Sequence, residues 1–204
     1  MAEPMATTQV FSTPIYFDEQ AGNEKLNHDL ADLIRKREKS EQSNDAFRAH
    51  QGGYYSNGEF FNDSAPCVKS VIKVIRSGLD SYIRDIGVTE SVSNVTLQGW
   101  VALTRSGDYQ TPHIHRGANI SGVYYVSMVK CDQPEGCIDF ITPVDAQEAT
   151  FLQGVSRSHC RVIPRAGSLV IFPSYLRHFT HPFQSGDERI CVVFNAFVEQ
   201  HKRK

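Results

Sequence analysis

Residues 95–104 read VTLQGWVALT and residues 189–198 read RICVVFNAFV. Side chains of an extended chain point alternately to two faces. In the first stretch Val95, Leu97, Gly99, Val101 and Leu103 share one face, while Thr96, Gln98, Trp100, Ala102 and Thr104 share the other. In the second, Arg189, Cys191, Val193 and Asn195 oppose Ile190, Val192, Phe194 and Ala196. A period of two marks β-strand, and it holds from about residue 91 onward. Further strands are predicted over 119–129, 137–141, 148–163 in two pieces, and 168–172, with turn signals at DQPEG (132–136), PRAG (164–167) and QSGDE (184–188).

Upstream the period is helical. Asn23 can cap EKLNHDLADLIRKREK, where Leu26, Leu30, Leu33 and Ile34 recur on one side, and a second helix beginning at Ser64 carries Val68, Val71, Ile72, Ile75, Leu79, Tyr82 and Ile83. Before the first helix, VFSTPIYF (10–17) mixes β-branched and aromatic residues around a proline and suits a short edge strand, which would pair within the chain or across a homodimer. Between the helices QGGYYSNGEFFND reads as a loop or short strand that packs or walls a pocket. Helices followed by many turn-punctuated strands predict a mainly β fold with N-terminal helices, a double-stranded β-helix of the jelly-roll, cupin-like kind. The expected organisation is one domain over 1–204, with 1–90 a helical support region and 91–198 the β core.

With 22% charged residues and a formal net charge of −2, the chain has no footprint for nucleic acid, and the basic HKRK at 201–204 is too short to supply one. A small, polar or weakly anionic ligand fits better. Five cysteines (Cys67, Cys131, Cys137, Cys160 and Cys191) make an odd number without a CxxC pair, and MAEPMATT lacks an apolar signal core. Free thiols and a cytoplasmic location are expected. No run approaches the ~18 apolar residues of a membrane span.

Three features of the β half ask for a joint explanation. His113 and His115, in TPHIHRG, would project from one face of an extended chain, where two imidazoles can grip one metal. His178, after GSLVIFPSYLR, can return to them from the other sheet of a sandwich. Arg189 opens a strand on the face it shares with Asn195; an arginine turned inward needs an anion, because burying its charge unpaired costs several kcal/mol. A bidentate carboxylate is its natural partner. Each feature alone also fits a solvated histidine pair or a surface arginine.

The segments YQTPHIHRGANISGVYYVS, GCIDF, VIPRAGSLVIFPSYLRHFTHPF and ERICVVFN together resemble the core of the 2-oxoglutarate and iron(II)-dependent oxygenases, including their prolyl hydroxylase branch. The chain is similar over nearly its whole length to a small group within that superfamily that carries HxH before SGVYYV. The resemblance implies Fe(II), 2-oxoglutarate and O2 as cofactors and co-substrates, His113 and His178 as iron ligands, and Arg189 as partner of the far carboxylate of 2-oxoglutarate. Tyr125 matches a position that often donates a hydrogen bond to the same carboxylate. The implied activity is hydroxylation of a small molecule or a peptide side chain.

One departure stands out: where the superfamily usually has HxD, this chain has His115. Two histidines and one carboxylate are the usual set; three imidazoles leave the metal one positive charge higher. The alternatives are a carboxylate from Asp139 or Asp108, a His115 outside the ligand set, or an open position as in the superfamily's halogenases. Trp100, Tyr54, Tyr55, Gln98, His181 and Asn195 are candidate walls of the substrate pocket, and His159 and His181 candidate acids or bases. Two rival readings remain: a cupin-like three-histidine dioxygenase without 2-oxoglutarate, and a non-catalytic jelly-roll binding module.

Overall fold

The two stretches of period two are realised as one pair of long neighbouring strands. In the chain's structure, a computed structural model describing residues 12–44, 49–87, 95–130, 132–143 and 158–198, strand β4 (Val95–Thr104) pairs antiparallel with β11 (Arg189–Val198) without interruption from Arg189 opposite Thr104 to Val198 opposite Val95. Strands β1 (Tyr16–Asp18), β3 (Tyr54–Tyr55), β6 (Ile120–Ser127) and β9 (Leu169–Pro173) complete a six-stranded sheet of order β1-β9-β6-β11-β4-β3. Facing it is a five-stranded sheet of order β2-β5-β10-β7-β8, made of β2 (His50–Gln51), β5 (Tyr109–His113), β7 (Ile138–Ile141), β8 (His159–Val162) and β10 (His178–Thr180). Every strand pairing is antiparallel. The architecture is the expected jelly roll.

Helix α1 (Glu24–Ser40) starts where the sequence places it, with the Asn23 side chain accepting a hydrogen bond from the Leu26 N–H at 2.9 Å. Helix α2 (Pro66–Asp85) begins two residues later than predicted, because Pro66 at its first turn supplies a pre-set φ and Asp63, rather than Ser64, accepts the Ala65 N–H. The two helices lie on the outer face of the larger sheet. There Leu26, Leu30, Ile34, Val71, Ile75 and Leu79 bury against Val101, Leu103, Ile190, Val192 and Phe194. Each fully buried aliphatic or aromatic side chain contributes roughly 1.5–3 kcal/mol relative to exposure, so this cluster is what keeps the sheet rigid. A second cluster fills the space between the sheets, with Ala102, Val123, Tyr125, Cys191 and Val193 meeting Ile138, Phe140 and Leu176.

Of the edge strand expected over 10–17, only Tyr16 and Phe17 lie in β1, at the rim of the larger sheet and paired to β9; 12–15 are not strand, and 10–11 lie outside the described residues. The predicted first piece of 148–163 lies largely outside the described residues, and its second piece is β8. The segment between the helices does both things considered for it. Tyr54 and Phe60 pack under the helices, whereas Tyr55, Ser56 and Gly58 face the interior of the sandwich. The short strands β5 and β10 were not read from the sequence; at five and three residues they carry too little alternation to register. Arg105 ties α1 to the mouth of β11, binding Glu38 at 2.6 and 2.8 Å and Glu188 at 2.8 Å.

Gly122 in β6 shows why SGVYYV carries a glycine: a Cβ there would lie 2.4 Å from the Phe194 ring and 2.6 Å from the Val170 carbonyl oxygen. Gly122→Ala is therefore expected to lower the unfolding free energy by about 1–3 kcal/mol through overpacking, as urea denaturation would measure.

Candidate active site

Register across the larger sheet arranges its inner face in rows. Tyr55, Ala102, Cys191 and Tyr125 stand side by side on β3, β4, β11 and β6; the next row holds Trp100, Val193, Val123 and Val170, and the next Gln98, Asn195, Ser121 and Phe172. Arg189 lies one step beyond the tyrosine row. The inner face borders a cavity of about 370 Å³, lined by Arg189, Cys191, Val193 and Asn195 from β11, by Gln98, Trp100 and Ala102 from β4, and by His113, His115 and His178 from the opposite side. The parity read from 95–104 and 189–198 is thus the division between helix-facing and cavity-facing residues.

Three histidines converge in this cavity. His178 opens β10 directly opposite His113, the last residue of β5, and their ring centroids are 4.3 Å apart. His115 lies 5.4 Å from His113 and 5.1 Å from His178 by the same measure. It is not on the strand: β5 ends at His113, and His115 sits in the following turn, its backbone N–H donating to the Ser174 carbonyl at 3.0 Å. The same-face reading of HxH reaches the right convergence although only one of the pair is extended-strand. His178 follows strand β9 and a turn, as read from the sequence, and opens the next strand.

Each ring has its Nδ1 occupied. His113 Nδ1 donates to the Thr111 carbonyl at 2.7 Å, His178 Nδ1 to the Leu176 carbonyl at 2.9 Å, and His115 Nδ1 meets Asn195 Oδ1 at 2.8 Å. A proton on Nδ1 leaves a lone pair on Nε2. One ligand nitrogen from each residue lies within 4.8 Å of the others, close enough for a single ion between them. Burial lowers the pKa of all three, His115 to about 4 and His178 well below the usual histidine value. They stand neutral at neutral pH, the form that binds a metal.

The closed end of the cavity is cationic. Arg189 is 5% exposed, and among the described residues its Nε has no hydrogen-bond partner, nor do the buried hydroxyls of Tyr55 and Tyr125. The Arg189 guanidinium lies 5.4 Å from the centre of the Tyr125 ring. Burial pushes both phenols above their ordinary pKa despite the nearby guanidinium, so both keep their protons and can donate. A buried cation beside two unused donors is the complement of a carboxylate. These features fit the pair implied by the resemblance: imidazoles for a divalent metal, and an anion socket for a chelating co-substrate.

The sequence candidates separate accordingly. Trp100, Tyr55, Gln98 and Asn195 line or border the cavity, and Tyr125 lies behind Arg189. Tyr54 does not: its hydroxyl turns to Glu41 at 2.9 Å under the helices. His181 and Asp139 belong to a separate cluster, in which Asp139 accepts two hydrogen bonds from Arg161, both at 2.7 Å, and one from His181 at 3.0 Å. Asp108 accepts from the Arg105 N–H in a turn. Neither carboxylate is in the histidine cluster. His159 is exposed on β8, away from the cavity lining. The sequence reading missed His50, Gln110, Thr180 and Arg116 as cavity residues; the first three sit on strands too short to betray a face.

Comparison with known proteins agrees. The profile of the family described as "Putative 2OG-Fe(II) oxygenase" matches residues 98–195, the segment that carries the three histidines, Arg189 and Tyr125. Over this segment, a little under half of the chain, it is similar to the 2-oxoglutarate and iron(II)-dependent oxygenases, a class of enzymes. Its fold is similar to that of a Pseudomonas putida prolyl-4-hydroxylase, at 18% identity and a TM-score of 0.67 over 93% of this chain and 95% of that one. It is also similar to a Trichoplax adhaerens prolyl hydroxylase in complex with a hypoxia inducible factor peptide fragment, with 17% identity, TM-score 0.61, and 90% and 83% coverage. A third is HygX from Streptomyces hygroscopicus with nickel, 2-oxoglutarate and hygromycin B bound, with 11% identity, TM-score 0.61, and 91% and 83% coverage. No curated protein matches the chain by sequence.

The Asp139 cluster yields a discriminating prediction. Burial would raise the carboxyl pKa, but hydrogen bonds from Arg161 and His181 outweigh it and hold it below the ordinary value. A folded value below the unfolded one means stability fully present above the unfolded value of about 4 and lost as pH falls below it through the folded value. Asp139→Asn should cost roughly 1–3 kcal/mol at neutral pH and flatten the acid limb of a stability-versus-pH curve. Cobalt(II) affinity should not change; its loss would make Asp139 a ligand.

Proposed function

We propose that this chain is a 2-oxoglutarate-dependent non-haem iron dioxygenase in which His113, His115 and His178 hold iron(II), and that it oxidises, most simply by hydroxylation, a C–H bond of a small molecule or peptide side chain. The observation that carries the proposal is the pairing, within one cavity, of three neutral imidazoles with a buried arginine whose Nε is unpartnered. A three-histidine dioxygenase without 2-oxoglutarate, or a passive binding module, would leave the Arg189 charge buried without an anion, at a cost of several kcal/mol.

Iron(II) with 2-oxoglutarate and dioxygen supplies the oxidising power, with succinate and carbon dioxide as co-products. The protein supplies placement and exclusion of water. Arg189 offers a two-pronged guanidinium to the far carboxylate of the co-substrate, and Tyr55 and Tyr125 donate to it from the flanking strands. Val123, Ile138 and Val193 form a dry wall between the arginine and the histidines. Trp100 stands beside His115, ring centres 5.6 Å apart, and bounds the space left for substrate. With three neutral ligands the metal keeps more positive charge than under a carboxylate ligand, which favours an anionic chelator.

The opening of the cavity bears on substrate class. Exposed Arg116 lines it, and no carboxylate does so among the described residues. The reading is a neutral polar or anionic substrate, and peptides and carboxylate-bearing metabolites come first in a screen.

The test is anaerobic titration of the apo-protein with iron(II) and then 2-oxoglutarate, following the visible charge-transfer band of a chelated keto acid. Wild type should form the band and His178→Ala should not. Arg189→Ala should need at least about 30-fold more co-substrate, since truncating one partner of a buried charge pair costs 2–5 kcal/mol. Iron binding without a band at any concentration would reject 2-oxoglutarate.

A further inference from the structure

Two of the three histidines are oriented by backbone. The Nδ1 atoms of His113 and His178 each donate to the carbonyl two residues earlier, Thr111 and Leu176, and a carbonyl within a strand or tight turn cannot swing away. His115 has no such acceptor. It lies in the turn after β5, and its Nδ1 is met by a side chain, Asn195 Oδ1, at 2.8 Å. Asn195 is itself held. Ser121, its direct neighbour across β6 and β11, donates to the same Oδ1 at 2.8 Å, and Ser174 lies 2.7 Å from the Ser121 hydroxyl. The segment that provides Ser174 also accepts the His115 backbone N–H. Both the ring and the main chain of His115 are thus fastened to one buried polar chain.

The placement of that chain is informative. Asn195 is 9% exposed, Ser121 0% and Ser174 1%; Asn195 and Ser121 stand between Gln98 and Phe172 in one row of the inner face, beside the row of Trp100, Val193, Val123 and Val170. Polar groups there are tolerated only because they satisfy one another, and apolar residues of like volume would pack as well or better. A purely architectural role does not account for them.

We infer that Asn195 is a positioning residue for the metal centre: by accepting from His115 Nδ1 it fixes the tautomer and ring plane that present Nε2 to the ion, with Ser121 and Ser174 locking the amide. Asn195 replaces for His115 what the backbone provides for the other two ligands. The inference rests on His115 being a ligand, as proposed above. Outer partners of this kind typically change metal affinity 10–100-fold when removed.

Trp100, the one tryptophan of the chain, reports on the site. The experiment is anaerobic titration of the metal-free protein with cobalt(II) alone, followed by quenching of Trp100 fluorescence, together with the thermal midpoint of each metal-free form. Asn195→Leu should bind cobalt about 10–100-fold more weakly while still melting cooperatively in its metal-free form, so that the loss is not one of fold. Asn195→Asp, which still accepts from Nδ1, should stay within about threefold of wild type or bind more tightly. In a His115→Ala background, Asn195→Leu should cause no further loss. Wild-type affinity in Asn195→Leu, or an equal loss in the His115→Ala background, overturns the inference. Should Asn195→Leu not fold, Ser121→Ala carries the same comparison, with a several-fold loss that disappears without His115. If His115→Ala alone binds cobalt like wild type, the three-histidine ligand set fails. If His115→Ala is weak and Asn195→Leu is not, only the positioning role fails.

Discussion

The alternation of side chains along Arg189–Val198 is the constraint on which core and cavity both depend. This strand is paired on both sides and covered on both faces, so none of its positions is free to choose its environment. Ile190, Val192, Phe194 and Ala196 meet the helices; Arg189, Cys191, Val193 and Asn195 meet the cavity. A register slip of one residue would bury the arginine under the helices and turn phenylalanine into the cavity, failing in both places at once. The apolar packing that makes the fold stable is therefore also what holds the arginine and asparagine at their depths.

Within the cavity, charge is distributed along the sheet rather than mixed. The guanidinium and Tyr55 occupy one end, with Tyr125 behind the guanidinium, and the imidazoles the other, with aliphatic side chains between. Burial works in opposite senses on the two groups. It keeps the imidazoles neutral and hence competent as metal ligands, and it makes the permanently charged guanidinium costly unless an anion arrives. A dianionic chelator that spans both ends answers both conditions. Among the described residues no carboxylate joins the histidine cluster, and in the proposed reading the chelator itself would bring negative charge to the metal.

If His115 is the third ligand, as proposed, it stands where similar oxygenases usually have a carboxylate. An imidazole must have the right tautomer, and therefore needs an acceptor behind it, which a carboxylate ligand does not require. The acceptor comes from the strand that also bears Arg189, six residues along, so one element serves both the co-substrate end and the metal end.

The sequence by itself determined the face of every long strand, the helix-facing and cavity-facing sets of β4 and β11, the capping of the first helix at Asn23, and the residues His113, His115, His178 and Arg189 as members of one site. These were legible because alternation over ten residues is redundant and because a buried arginine and clustered imidazoles are costly without a purpose. Only the tertiary structure decided that His115 lies beyond its strand, that Asp139 spends its charge on Arg161 and His181, that Tyr55 rather than Tyr54 borders the arginine, and that Asn195 reaches His115. The physical reason is common to all four. Each depends on residues 22 to 134 positions apart meeting at one contact or one cavity, or on a strand of two to five residues, and neither short strands nor distant meetings leave a periodic trace in the chain.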